Sequence, residues 1–250
     1  MLAQRDLIFD VGCHIGEDAS FYLQKGFRVV GVEANPDLCA GLRECFARPI
    51  ATGQFTLIEK AIAETSGSVE FYANASDRLG TANRGFADQV ARCGSPIVDV
   101  IRVPAMRFDG LIEEFGVPHY VKIDIEGSDL LCLRQLGRVE GRPNFMSIEG
   151  DRALLDEGIK LFKGLGYKKF QLIDQSEVPA QQCPRPAQEG QSITYNFTLG
   201  SSGLFGRELP DDWRSGMGAM TAYYKEIISS RIGRAFGRKQ GSWYNLHARH

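Results

Sequence analysis

Residues 8–16 read Ile8-Phe-Asp-Val-Gly-Cys-His-Ile-Gly16, and the segment after them, Glu17 to Lys25, carries apolar residues at helical spacing. A short apolar strand that breaks into a glycine turn and opens a helix brings backbone N–H groups close to a ligand at the strand's carboxyl end. The next apolar run, Arg28 to Glu33, closes on an acid twenty-one residues after Gly12. A carboxylate there can accept hydrogen bonds from the hydroxyls of a ribose. To this point NAD and S-adenosylmethionine fit equally. Charge separates them, because a dinucleotide carries a pyrophosphate and its turn reads G-x-G-x-x-G. Here the spacing is Gly12-x-x-x-Gly16, and Asp10 stands two residues before the first glycine. A carboxylate at that place repels pyrophosphate and suits a ligand bearing an ammonium and a sulfonium, which S-adenosylmethionine does. The competing structural reading has the glycines serving only close packing, with Asp10 and Glu33 capping neighbouring turns.

Outward from this segment, short apolar runs alternate with helical periods, the pattern of a parallel sheet covered by helices. Strands are predicted at Leu7–Val11, Arg28–Glu33, Phe55–Ile58, Tyr120–Ile125, Phe145–Glu149, Lys168–Ile173 and Ile193–Leu199. Helices are predicted at Glu17–Lys25, Pro36–Ala47, Ser128–Leu136 and Ala153–Leu165. Asn35 as N-cap and Pro36 at the first helical position mark one start. A hairpin strand Ser68–Ala73 and a polar segment Asn74–Ser95 interrupt the alternation. After Leu199 come a Gly-rich connection, a helix from about Ala219 to Phe236 and a basic tail. The expected division is a ligand-binding domain over 1–200 and a C-terminal extension over 201–250.

A second constellation is Val121-Lys-Ile-Asp-Ile-Glu-Gly127, in which a period of two would place Lys122, Asp124 and Glu126 on one side. The strand after it ends Ser147-Ile-Glu-Gly150-Asp151. Two turns that pair a carboxylate with a glycine thus lie at the same edge as Gly12. Three charges in one strand need partners if they are buried, so Lys122 reads as one half of a structural ion pair. Asp124, Glu126 and Glu149 read as candidate catalytic acids, since removing a proton from an attacking alcohol needs a base within hydrogen-bond reach. His14, in the first turn, is a further candidate for that proton, beside the commoner role of a histidine satisfied by a carbonyl. Hard cations take clustered carboxylates, but nothing fixes a coordination set among Asp124, Glu126, Glu149 and Asp151, and no metal is assigned.

IFDVGCHIG, VGVEANP, VKIDIEG and SIEGD, in this order and spacing, resemble the FkbM family of S-adenosylmethionine-dependent methyltransferases over about residues 7–175, with a weaker echo in 200–213 and 243–249. The resemblance implies a class I methyltransferase, Rossmann-like α/β fold, with a mostly parallel seven-stranded sheet and helices on both faces. It implies methyl transfer to a hydroxyl of a small molecule, sugar, glycan or lipid headgroup. By this likeness Asp10, Gly12 and Gly16 line the methionine part of the cofactor, Glu33 holds the ribose, Lys60 and Ala61 lie beside the adenine, and the Asp124 and Glu126 turn faces the methyl group, with Cys13, Ala34, Asn35 and Asp124 as further cofactor contacts. Family members often carry asparagine where this chain has His14.

Composition narrows the alternatives. In 250 residues with 43% hydrophobic and 24% charged, a packed core is expected. A net charge of −2 lacks the basic excess of a nucleic-acid binder. Six cysteines without a C-x-x-C pair suggest reduced thiols and no zinc. No apolar run reaches a membrane span or a signal core, so a cytoplasmic location is expected, with the chain starting directly in structure. The basic helix Met220–Lys239 either packs as an ordinary terminal helix or rests on an anionic membrane or acceptor. A nicotinamide oxidoreductase is disfavoured by Asp10 and the glycine spacing, and a non-catalytic membrane module by the retained acids. His119 falls at a strand's amino end, the edge away from ligand chemistry, and His247 and His250 are assigned to the tail.

Overall fold

The computed structural model describes residues 2–75, 80–150, 152–235 and 243–250, with side chains described except at 152–153 and 226–235. In chain order the elements are β1 (Gln4–Val11), α1 (Glu17–Gln24), β2 (Arg28–Glu33), α2 (Pro36–Cys45), α3 (Ala47–Ala51), β3 (Phe55–Glu59), β4 (Ala61–Ile62), β5 (Gly67–Asn74), α4 (Arg84–Arg92), β6 (Ile97–Met106), α5 (Phe108–Phe115), β7 (Pro118–Ile123), α6 (Asp129–Leu136), β8 (Phe145–Gly150), α7 (Arg152–Gly164), β9 (Lys169–Asp174), α8 (Gly216–Ala235) and β10 (Tyr244–Arg249).

Seven strands form one sheet in the order β3-β2-β1-β7-β8-β10-β9. Adjacent pairs from β3 to β8 are parallel, and β10 runs antiparallel to both β8 and β9. This is the mostly parallel sheet of a class I methyltransferase fold. The strand order reverses at β1, and the crevice at such a switch point is where α/β sheets bind ligands. Each face of the sheet has its own core. On one, Phe108, Leu111 and Ile112 of α5, Leu133 and Leu136 of α6, and Phe162 of α7 cover Phe9, Val121 and Ile148. On the other, Phe21 and Tyr22 of α1 pack with Phe205 and Phe197 from the long segment before α8. A small sheet, β4-β6-β5, stands apart beyond β3 in the chain.

The seventh strand is not Ile193–Leu199. That segment alternates like a strand but runs as a coil over α1, where Tyr195 and Phe197 pack on the Phe21 ring with centroids 5.0 and 4.8 Å away. The strand is Tyr244–Arg249, between β8 and β9, so residues beyond 200 supply part of the central sheet. It alternates apolar Tyr244, Leu246 and Ala248 with polar Asn245, His247 and Arg249, a strand pattern lying within the expected basic tail. His247 is buried mid-strand rather than in a tail, and burial holds its imidazole down at about 3. Two further corrections concern the irregular stretch and the second constellation. The polar segment 74–95 contains α4, and β6 was missed, with Pro104 inside it. β7 ends at Ile123 rather than Ile125, so Asp124 and Glu126 belong to a turn and not to an alternating strand. Phe236 lies outside the described residues.

Candidate active site

The carboxyl ends of β1, β2, β7 and β8 surround a cavity of about 470 Å³. Its floor is the turn after β1. Gly12 and Cys13 donate to the Val32 carbonyl at 2.9 and 3.0 Å, and Asp124 N donates to the Val11 carbonyl at 2.9 Å, which ties three strand ends together. Gly12 has φ 83, and a Cβ there would overlap the Asp124 carbonyl oxygen. Only glycine permits that approach of backbone to backbone. His14 and Glu126, at φ 47 and 49, are the non-glycine residues with positive φ among those described, and both line the cavity. Strained backbone of this kind persists where surrounding contacts over-determine it, commonly at functional sites. For Glu126 those contacts are visible: Thr81 Oγ1 donates to its carbonyl at 2.7 Å, and Asn83 Nδ2 donates to that of Gly127 at 2.7 Å.

Glu33, at the end of β2, is buried beside the turn. Its Oε2 accepts from His14 N, and its Oε1 from Ala34 N and Asn35 N, each at 2.9 Å. Burial pushes this carboxyl up and the three N–H donors pull it back, leaving it above its ordinary value. A carboxylate offers about four acceptor positions, so roughly one remains, on Oε2. Asn35 caps α2 as expected, accepting from Asp37 N at 3.0 Å.

Of the residues expected to contact a cofactor, Gly12, Cys13, Glu33, Ala34, Asn35, Lys60, Ala61 and Asp124 line the cavity, as does His14, the candidate proton acceptor. Asp10 and Gly16 do not. Gly16 is packed against the Phe46 ring. Asp10 is fully buried one layer behind the wall, and the cation near it belongs to the chain itself: Lys122 Nζ lies 3.4 Å from Asp10 Oδ1, 3.5 Å from Asp124 and 3.8 Å from Asp18, and donates to the Gly12 carbonyl at 2.8 Å. Burial depresses the Lys122 ammonium, yet the three carboxylates outweigh it and hold the proton well above the usual lysine range. Asp10 is raised to about 7 by burial, with Lys122 opposing. Its two oxygens make no hydrogen bond.

Glu126 and Glu149 line the cavity with Asp124. Burial first, then Asp124 and Asp129, pushes Glu126 up to about 8. Burial and Asp124 push Glu149 up to about 10. Both therefore hold protons at neutral pH and can donate hydrogen bonds. Because the folded-state value of Glu149 lies above its ordinary 4.5, its contribution to stability is full below about pH 4.5 and is lost as pH rises toward 10. Glu149→Gln should accordingly raise the melting temperature at pH 8 and leave it unchanged at pH 4, as differential scanning calorimetry would record. Among the described residues no group of three or more His, Cys, Asp or Glu could hold a metal ion. Asp151 lies outside them.

Thr81 and Ala82 of the irregular segment 74–95, Phe71 of β5 and Trp243, 41% exposed at the rim, complete the cavity wall. Of these, sequence reasoning missed Phe71 and Trp243, which nothing local marks: the small sheet carries the first to the site, and the entry of β10 into the main sheet carries the second.

No curated protein matches the chain. Solved structures with a similar chain path include precorrin-6y C5,15-methyltransferase from Geobacter metallireducens (12% identity, 98% of this chain and 80% of that one, TM-score 0.40). Precorrin 8w decarboxylase from Methanobacterium thermoautotrophicum matches at 14% identity over 78% of each chain, TM-score 0.36. An rRNA methylase from Streptococcus thermophilus matches at 11% identity over 69% of this chain and 77% of that one, TM-score 0.36. Likenesses this distant assign no substrate. The match that assigns a family is to the methyltransferase FkbM domain, over residues 10–169. That stretch starts at Asp10, takes in the Gly12 turn, Glu33, the acids after β7 and Glu149 at the end of β8, and reaches the start of β9, and on it the chain belongs to the FkbM methyltransferase family.

Proposed function

We propose that this methyltransferase uses S-adenosylmethionine and transfers the methyl group to a hydroxyl oxygen. The observation that carries the reading is the acidic lining of the cavity: Glu17, Asp18, Glu33, Asp124, Glu126 and Glu149 stand on it beside Lys60 and Lys122. Even with protons on Glu126 and Glu149, the other four carboxyl groups outnumber the lysines, and such a wall disfavours a pyrophosphate and suits a cation. The fit to the cofactor rests on two features. Glu33 keeps an acceptor position for a ribose hydroxyl, and the turn at Gly12 is pressed so closely on Asp124 that the floor leaves no side chain to fill the space.

When bound, S-adenosylmethionine supplies a methyl group on a sulfonium, an electrophile already activated. The chain's own residues then have two tasks. The first is holding the two reactants in line, which can account for much of the barrier. Glu126 and Glu149, protonated at neutral pH, can donate hydrogen bonds to the acceptor, while Thr81 and Asn83 hold the turn that carries Glu126. The second task is taking the hydroxyl proton. We assign it to Asp124, a reading supported by its position on the cavity wall beside Lys122, with His14 of the same lining as the other group able to do so.

Calorimetric titration tests the cofactor. S-adenosylmethionine and S-adenosylhomocysteine should bind in the micromolar range and NAD and NADP should not. At about 100 times the dissociation constant S-adenosylhomocysteine should stabilise the fold by about 2.7 kcal/mol. Binding of NAD with none of S-adenosylhomocysteine would overturn the reading in favour of an oxidoreductase.

Glu33→Ala should weaken S-adenosylhomocysteine by roughly 10-fold to 100-fold, since a hydrogen bond to a charged acceptor is worth about 1.5–3 kcal/mol. An unchanged dissociation constant in a folded variant would leave Glu33 as a cap for the 33–35 turn alone.

A further inference from the structure

At the opposite edge of the main sheet, a second cavity of about 470 Å³ opens between the α1–β2 turn, the starts of β7 and β8, the end of β10 and the loop at Glu189–Gln191. Methyl transfer makes no use of it. Its wall is firmly made. Gly190 has φ 56, and a Cβ there would overlap the Lys25 carbonyl, while Gln191 N donates to that same carbonyl at 2.8 Å. His119, set aside in the sequence as lying at the wrong edge, is buried here. Its ring lies parallel to Phe27, at 5° and 6.3 Å, and edge-on to Phe145 at 5.4 Å. Nδ1 accepts from Asn144 Nδ2 and Nε2 donates to Glu189 Oε2, both at 2.9 Å.

Charge bookkeeping points to the class of ligand. Each side-chain acid on the wall is matched by a base: Asp6 by Arg28 at 2.7 Å and Glu189 by Arg207 at 3.0 Å. Lys25 on the wall is cancelled by Glu208 at 2.7 Å, both side chains fully buried. Arg5 and Arg249 also line the cavity and face no carboxylate among the described residues. The Arg249 guanidinium lies over the Trp213 ring, 5.4 Å from its centroid. The two arginines stand on β1 and β10, three strand spacings apart or roughly 14 Å, with His119 and Phe145 on the strands between them. Guanidinium forks match carboxylate and phosphate oxygens, and arginine is weakly hydrated enough to bind them in a partly apolar setting.

We propose that this amino-edge cavity binds a small organic oxyanion, a phosphate monoester or a carboxylate, with its charge on Arg5 and Arg249 and its body over the Phe27, His119 and Phe145 rings. The volume lies in the range of small-molecule sites. The proposal is independent of the methyl-transfer reading.

The chain has four histidines, of which His119 and His250 line this cavity and His14 the other. NMR of the full chain with isotope-labelled histidine therefore reports the two cavities separately. Ribose 5-phosphate and citrate are titrated, with ribose and sodium chloride at matched ionic strength as controls. A saturable shift of His119 with at least one anion, and with neither control, is expected, while His14 stays in place. The anion that saturates at lower concentration identifies the oxyanion preferred. The Arg5→Ala, Arg249→Ala double variant should weaken that anion at least tenfold. Arg5→Ala alone, at an exposed side chain that the fold does not need, should give part of the loss. No saturable His119 shift at millimolar anion, or a shift that survives unchanged in the double variant, overturns the proposal. Failure of the methyl-transfer reading would appear instead as S-adenosylhomocysteine leaving His14 unmoved.

Discussion

Replacing Lys122 by methionine is expected to destabilise the fold by about 3–5 kcal/mol, the cost of removing one partner from a buried ion pair, and to abolish S-adenosylhomocysteine binding. The ammonium donates to the Gly12 carbonyl and lies within 4 Å of Asp10, Asp18 and Asp124. Methionine fills the volume but leaves that carbonyl without its donor and the carboxylates without their cation. The acids would respond by taking up protons, and Asp10 stands at about 7 even with Lys122 present. The loss should therefore be smaller at pH 5 than at pH 8, where keeping those protons costs more. Urea unfolding at the two pH values measures it. Asp10→Asn added to Lys122→Met should recover part of the stability. A Lys122→Met protein as stable as the parent at pH 8 would remove the lysine from its role as the pin of the site.

The second large effect is expected in turnover. Once an acceptor is identified, Asp124→Asn should lower single-turnover methyl transfer by about 100-fold or more, the usual worth of general-base help, while cofactor affinity shifts much less. Glu126→Gln and Glu149→Gln replace carboxyls that already carry protons near neutrality, so at pH 7 each should cost less than Asp124→Asn. If Asp124→Asn stays active while His14→Asn abolishes transfer, the proton acceptor is the histidine. A chelator added in parallel should leave the rates unchanged.

Local pattern in the sequence carried far at the switch point of the sheet. Arg28–Glu33 reads as a strand and is one, because a run of β-branched residues bounded by a glycine turn and an acid has few other uses. The start of α2 is legible for the same reason: Asn35 satisfies a backbone donor that any helix start leaves open. The acids and glycines at 10–16, 33 and 124–127 could also be assigned to one edge, since a parallel sheet puts all its strand ends there.

What no local pattern contains is which distant segments pair. Ile193–Leu199 and Tyr244–Arg249 both alternate apolar with polar residues, yet only the second enters the sheet. Its Asn245 and His247 lie opposite Glu149 and Ser147 of β8, while Tyr195 and Phe197 of the first find an aromatic partner in Phe21. Asp10 illustrates the same limit within the site. Its place in the sequence suggests an anion offered to a ligand, but β1 lies beside β7 in a register that sets Asp10 against Lys122, and the chain supplies its own cation. From the sequence come the edge at which chemistry happens and the acids that stand there. Which of those acids face the cavity and which face a buried lysine, and that a second cavity opens around His119, depend on strand register and on burial, and both arise only when segments more than a hundred residues apart are packed together.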